Sequence, residues 1–229
     1  MGDAEAANKR RYRGMDGDER LALRRAALIE AGLELFGTAG YGRTTVDDIC
    51  RRAGVAKRYF YESFKDREAL LVAVYEAEIE YAQVLAADAV RKAGASIEDQ
   101  IHAGLDALIR YFCADPRKGR IAFIEIIRAG ESVEHHYRDA KHRFADFIIT
   151  ILVQTLDIPR TARIELGTAA LVGAVNEVVT DWLGGSQRST VDEIIEACAL
   201  VFELLYRQYL RELGLSSAAR PRAGAHGPG

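Results

Sequence analysis

Apolar residues in this chain recur at intervals of three and four from about residue 20 to residue 213, while the alternation expected of strands is almost absent. Only four prolines interrupt 229 residues. That pattern predicts an all-α protein. Leu21, Leu28, Ala31, Leu35 and Phe36 fall on one helical face, which Gly37 and Gly40 are expected to end. Two short helices follow at 45–53 and 56–62, then longer ones at 67–92, 97–114, 117–129, 132–156, 160–184 and 190–213. Gly94 with Ser96, Asp115-Pro116, Gly130, Asp157 to Pro159 and Gly184 to Ser189 punctuate them. Nine helices and no sheet are predicted.

Composition narrows the class. With 49% apolar and 28% charged residues the chain can bury a genuine core. Cys50, Cys113 and Cys198 are far apart and in no metal or redox spacing, which fits a reducing compartment. No signal-peptide run precedes the first helix and no stretch approaches a membrane span, so a soluble, cytoplasmic protein is expected. The net charge of -3 is uneven: residues 1–70 carry 14 Lys+Arg against 12 Asp+Glu, and residues 71–229 carry 17 against 22. A surplus of two is a weak nucleic-acid signal by itself; the placement of the charges matters more.

The informative stretch is 44–64, TTVDDICRRAGVAKRYFYESF. Thr44 and Thr45 each precede an Asp by three residues, as at a capped helix start. Val46, Ile49, Cys50 and Ala53 form an apolar stripe, Gly54 suits a left-handed exit, and Val55 can plug the corner. The next helix buries Phe60 and Phe64, leaving Lys57, Arg58, Tyr59 and Tyr61 outward. A short helix held across another by a Gly turn, presenting cations and phenols, is the helix-turn-helix arrangement that enters a major groove.

LFGTAGYGRTT at the end of the first long helix, AGV at the turn, Tyr61-x-x-Phe64 and KDREALL together resemble the TetR (tetracycline-repressor-like) family of bacterial transcriptional regulators over residues 20–75. The resemblance implies roles residue by residue: Tyr61 on a phosphate, residues 57–59 at the groove, Thr45 near the DNA backbone and Arg67 as a cation at the next helix start. The expected DNA-binding set is Thr44, Thr45, Lys57, Arg58, Tyr59, Tyr61, Lys65 and Arg67. Two positions depart from the family pattern. Ala56 replaces a frequent capping Ser, and Ser63 stands where an aromatic residue or His is common.

The expected organisation is a flexible basic arm at 1–17, a DNA-binding domain at 18–66, an effector-binding and dimerisation domain at 67–214 and a disordered tail at 215–229. Helix 160–184 is apolar nearly all round and must be covered on two sides. In 190–213, Val191, Ile194, Ile195, Cys198, Val201, Phe202, Leu205 and Tyr209 follow helical spacing, so these two helices are expected to pair with a second copy in a four-helix bundle. The intervening helices should wall a pocket. Its apolar lining is expected from Leu105, Leu108, Phe112, Phe123, Ile127, Phe144, Phe147, Ile148 and Val175, with His102, Arg128, Tyr137, Asn176 and Trp182 as polar candidates. Such a pocket suits an elongated or multi-ring hydrophobic effector.

No cofactor or metal is expected: His135, His136 and His142 lack a His-x-x-x-His pair, and GTAGYGRTT has no Gly-Lys-Ser/Thr to hold phosphate. No Ser or Cys has an evident base, so the chain is not expected to be an enzyme. The expected function is a dimeric regulator, most simply a repressor, that binds near-palindromic operator DNA and is released by a hydrophobic small molecule. The alternative is a dimeric helical adaptor without specific DNA binding, which would have no need of an outward Lys57, Arg58, Tyr59 and Tyr61.

Overall fold

The computed structural model describes residues 17–94, 96–186 and 189–214. The expected N-terminal arm, up to residue 16, and the expected C-terminal tail lie outside the described residues. Among the described residues the chain is helical throughout, without strands. The helices are α1 (Gly17–Thr38), α2 (Val46–Ala53), α3 (Lys57–Ser63), α4 (Arg67–Lys92) and α5 (Ile97–Ala114). α6 begins at Pro116–Arg120, widens into a π turn at Ile121–Glu125 and closes at Ile126–Arg128. α7 (Glu131–Leu156), α8 (Ala162–Asp181, followed by a π turn at Trp182–Ser186) and α9 (Val191–Glu212) complete the bundle.

The starts are set by side chains that satisfy the free amides of a first turn. Asp66, Ser96, Asp115, Thr161 and Thr190 each accept a backbone N–H from the turn they open. At Asp115, Pro116 occupies the first helical position, where its missing N–H costs nothing.

The head is built from α1, α2, α3 and the start of α4 around Leu28, Phe36, Ile49, Phe60, Leu70 and Leu71, all fully buried. Its core continues without a break through Ile109, Phe112 and Ile126 to Ile195 and Phe202, and a smaller apolar cluster around Ile97, Ile149, Ile164 and Leu210 closes the far end. Leu21 is exposed rather than on this face. Gly37 does not end α1, which runs on to Thr38. It marks a close approach instead, since a Cβ there would stand 2.5 Å from Arg117 Cβ and 2.8 Å from Arg117 Cα. The head thus rests directly on α6.

Candidate functional site

α2 and α3 meet at a turn whose chemistry is local. Thr45 caps α2 by accepting the Asp48 amide at 3.2 Å, and the Asp48 carboxylate accepts the Thr45 N–H at 3.1 Å, closing a capping box. At the other end Gly54 takes φ 65°, a left-handed conformation that a side chain would strain. Ala56 opens α3 without a side-chain cap, as the departure at that position foretells.

Phe60 and Phe64 anchor α3 inward, which turns Lys57, Arg58 and Tyr61 out. Tyr61 is 53% exposed, its ring edge-on to Phe60. Lys57 Nζ lies 2.9 Å from Asp47 Oδ1, and this bonded carboxylate holds the ammonium above its ordinary pKa. The Arg58 guanidinium stacks 4.3 Å from the Tyr59 ring centroid and donates to its hydroxyl; Arg24 covers the same ring at 3.7 Å. Tyr59 is therefore half-buried between cations rather than freely outward. Lys65 is exposed, with its ammonium 3.8 Å from Asp66.

Two residues expected at the DNA point elsewhere. Thr44 is 2% exposed, and its hydroxyl donates to the Gly40 carbonyl at 2.9 Å. Arg67 turns inward over the Tyr41 ring, donating to the Tyr41 carbonyl at 2.9 Å and to the Thr44 carbonyl. Both hold the segment between α1 and α2 in place. Ser63, at the second departure, buries its Oγ with no hydrogen-bond partner among the described residues. Conversely, exposed Arg43 and Arg51 flank an open groove with Thr44 and Asp48, a feature not singled out in the sequence. The Gly-Arg-Thr-Thr and Cys-Arg-Arg runs were its available signal.

The second site lies between α4, α5, α7, α8 and α9. An outer chamber is lined by Ile101, Leu105, Leu108, Phe144, Phe147, Ile148, Leu171, Phe202 and Tyr206 among others. A second, inner chamber is lined by Tyr75, Phe112, Phe123, Tyr137, Lys141, Val175 and Asn176. Leu105, Leu108, Phe144, Ile148 and Phe202 belong to both, so the two chambers adjoin across a shared apolar wall. Ten of the fourteen residues expected to line a pocket do so.

The other four lie outside it. His102 reaches across the surface to Glu196, with Nε2 3.1 Å from the carboxylate. Ile127 is exposed, and Arg128 is an exposed cation 3.8 Å from Glu125. Trp182 donates its indole N–H to the Ser189 carbonyl at 3.0 Å, in the π turn after α8. Lining residues missed in the sequence include Tyr75, Ile101, Leu171, Phe202, Tyr206 and, as the one cation of the inner chamber's lining, Lys141, one helical turn beyond Tyr137.

Residues 28–74 match the family model described as bacterial regulatory proteins, tetR family. Over 182 residues, covering 78% of this chain and 91% of the relative, the sequence is 21% identical to a fatty acid metabolism regulator protein of Bacillus subtilis. Among solved structures, the Bacillus halodurans fatty acid degradation regulator FadR superposes with a TM-score of 0.68 at 14% identity, covering 78% of this chain and 93% of that one. The Bacillus subtilis transcriptional regulator FadR in complex with stearoyl-CoA gives a TM-score of 0.64 at 21% identity, covering 79% and 96%.

Proposed function

Residues 28–74 belong to the tetR family of bacterial regulatory proteins, and from that premise we propose that the chain is a dimeric, cytoplasmic, non-enzymatic repressor released from operator DNA by a long-chain acyl ligand. In this reading α1 to α3 form the DNA-reading head, and the helices from α4 onward form the sensing and dimerising body. The observation that carries it is the pairing of an outward Lys57, Arg58 and Tyr61 on α3 with two adjoining apolar chambers in the body of the same chain.

Apolar walls of this extent gain free energy from hydrocarbon, at about 25 cal/mol per Å² removed from water. A single alkyl chain suits two adjoining apolar chambers better than a sugar or nucleotide does. The relatives add weight, since one is described as a regulator of fatty acid metabolism and another binds stearoyl-CoA.

Dimerisation is supported by what the single chain leaves bare. On α8 and α9, Leu166 is 73% exposed, and Val178, Leu200, Val201, Leu204 and Leu205 are exposed with it. A contiguous apolar face of two antiparallel helices is the surface that a two-fold four-helix bundle covers. Each protomer would then place its α3 in one operator half-site.

The test is a gel shift with DNA upstream of the chain's own reading frame, titrated with palmitic acid and palmitoyl-CoA. Specific retardation relieved by either compound supports the repressor. Absence of any specific shift would sink it in favour of an adaptor, and a shift indifferent to both would remove the acyl effector.

A further inference from the structure

The apolar space is not uniform along its length. Three residues with polar groups line its inner end among hydrocarbon: Tyr137 and Lys141 from α7, and Asn176 from α8. Tyr137 and Lys141 are four residues apart and share a helical face with Phe144 and Ile148, which continue the wall outward. Asn176 lies beside Tyr137, and burial, with the Glu177 charge, raises the Tyr137 pKa.

Lys141 is the unusual member. It is half-buried, and among the described residues it forms no ion pair with any carboxylate; its Nζ instead lies 4.5 Å from the Tyr137 ring centroid. The cation at the opposite end differs. Arg163, at the outer mouth, is neutralised by Glu212 at 2.6 Å, and neighbouring Arg160 is held by Asp146 and Glu165 at 2.7 and 2.6 Å. The outer mouth thus offers little uncompensated charge to a polyanion. The inner end offers an ammonium that is in no ion pair among the described residues, although the Glu177 charge also reaches Tyr137.

A half-buried ammonium without a carboxylate partner gains from a bound anion, since a hydrogen bond between charged partners is about twice as strong as a neutral one. We propose that the inner end is an anchoring site for a single carboxylate, in which Lys141 with Tyr137 and Asn176 holds the head of a long-chain carboxylic acid while its hydrocarbon runs past Phe144 and Ile148 into the outer chamber. This rests on the reading of the cavity as an acyl site and adds the ligand's direction and the state of its head group. One ammonium, one phenol and one amide match a carboxylate's two oxygens. They do not match the phosphates of a coenzyme A thioester.

Binding of palmitic acid, methyl palmitate and palmitoyl-CoA is measured by calorimetry for the full chain, for Lys141→Met and for Lys141→Arg. We expect the acid to bind the parent about tenfold or more tighter than the ester. Lys141→Met should bring the acid down to the ester's affinity and leave the ester unchanged, while Lys141→Arg retains most of the preference. Equal thermal midpoints for the three proteins would show that folding is not the variable. Equal binding of acid and ester by the parent overturns the anchor but leaves the acyl cavity standing. Tighter binding of palmitoyl-CoA that is indifferent to Lys141→Met also overturns it, because the head group then sits at the outer mouth. Failure of all three compounds to bind would remove the acyl cavity itself, and the anchor with it.

Discussion

The Glu125 carboxylate accepts the Tyr41 backbone N–H at 2.8 Å across 84 residues of chain. Its second oxygen takes Arg120 Nε at 2.9 Å, and Arg120 donates onward to the Thr38 carbonyl at 3.0 Å. Glu125 is 3% exposed and lies in the π turn of α6, whereas Thr38 and Tyr41 bracket the exit from α1. The carboxylate is therefore a joint between the DNA-reading head and the helix that walls the inner chamber through Ala122 and Phe123.

Glu125→Ala would leave the Tyr41 amide without an acceptor and Arg120 without its carboxylate. We expect a loss of about 1–3 kcal/mol in urea denaturation, because an unsatisfied buried donor loses its full desolvation cost. Glu125→Gln retains an acceptor oxygen and should lose less. If the joint transmits effector binding, the alanine variant should also retain operator affinity in the presence of ligand. A variant as stable and as responsive as the parent would remove this role.

Gly37 provides a second test of the same contact. Glycine→alanine in a helix ordinarily adds stability, but here the new methyl would collide with Arg117 Cα and Cβ, part of the α6 backbone and not the end of a flexible chain. Overpacking of that kind costs about 1–3 kcal/mol. A higher midpoint for Gly37→Ala would mean that α1 and α6 can separate freely.

On the DNA surface, Arg58→Ala and Arg67→Ala should fail in different ways. Arg58 is exposed on α3 and its contacts are with neighbouring Tyr59, so its loss should change the melting temperature little and weaken operator binding by about 1–3 kcal/mol if it reads a base edge. Arg67 donates into the backbone between α1 and α2, so its loss should lower the melting temperature, with weaker DNA binding as a consequence. Thermal melts beside gel shifts separate the two. An Arg67→Ala protein of unchanged stability would return Arg67 to the phosphates.

That contrast shows where sequence reasoning reaches and where it stops. Helix order and most boundaries were legible because capping is local: Thr45, Ser96, Asp115-Pro116 and Thr190 announce their helices within four residues. Phe60, Phe64 and the outward cations of α3 followed from helical spacing alone. Thr44 and Arg67 were misplaced because their partners, the Gly40 and Tyr41 carbonyls, become available only once a short 3₁₀ turn at Tyr41–Arg43 forms. His102 and Trp182 were misplaced because polar residues on mixed helices carry no periodicity to fix their direction, and tertiary partners, Glu196 and the Ser189 carbonyl, decided it. Lys141 had a signal in its spacing from Tyr137, but a lysine in a charge-rich stretch reads as solvated.

At the outer chamber, Tyr206 donates its hydroxyl to Glu98, and both groups titrate away from their ordinary values. Burial, reinforced by the Glu98 charge, pushes Tyr206 up to about 12. Burial also raises Glu98, but hydrogen bonds from Tyr206, its own backbone, Ser96 and Arg207 outweigh it and leave the carboxyl lowered. A raised folded pKa means that Tyr206 stabilises fully below the unfolded value near 10 and loses that contribution as pH rises towards about 12. The depressed Glu98 contributes above the ordinary carboxylate range and loses its contribution as pH falls through its folded value. Tyr206→Phe should therefore flatten the stability profile between about pH 10 and 12. An unchanged alkaline limb in chemical denaturation at several pH values would refute the coupling.

The exposed face of α8 and α9 makes the strongest demand on the assembly. Leu204 is 59% exposed among the described residues, between Leu200 and Leu205 on α9. If a second copy does, Leu204→Arg places a charge in an apolar contact that cannot pair it, a cost of several kcal/mol counted twice in a two-fold interface. Light scattering should then fall from a dimer to the 25.3 kDa chain mass at micromolar concentration. The fold should survive, since the substitution lies outside the protomer core, and circular dichroism checks this. Operator affinity should collapse with the dimer, because one head contacts only one half-site and loses the effective concentration that linkage to a second provides. A parent protein that is already monomeric, or a Leu204→Arg protein that stays dimeric and binds the operator normally, would place the two-fold axis elsewhere.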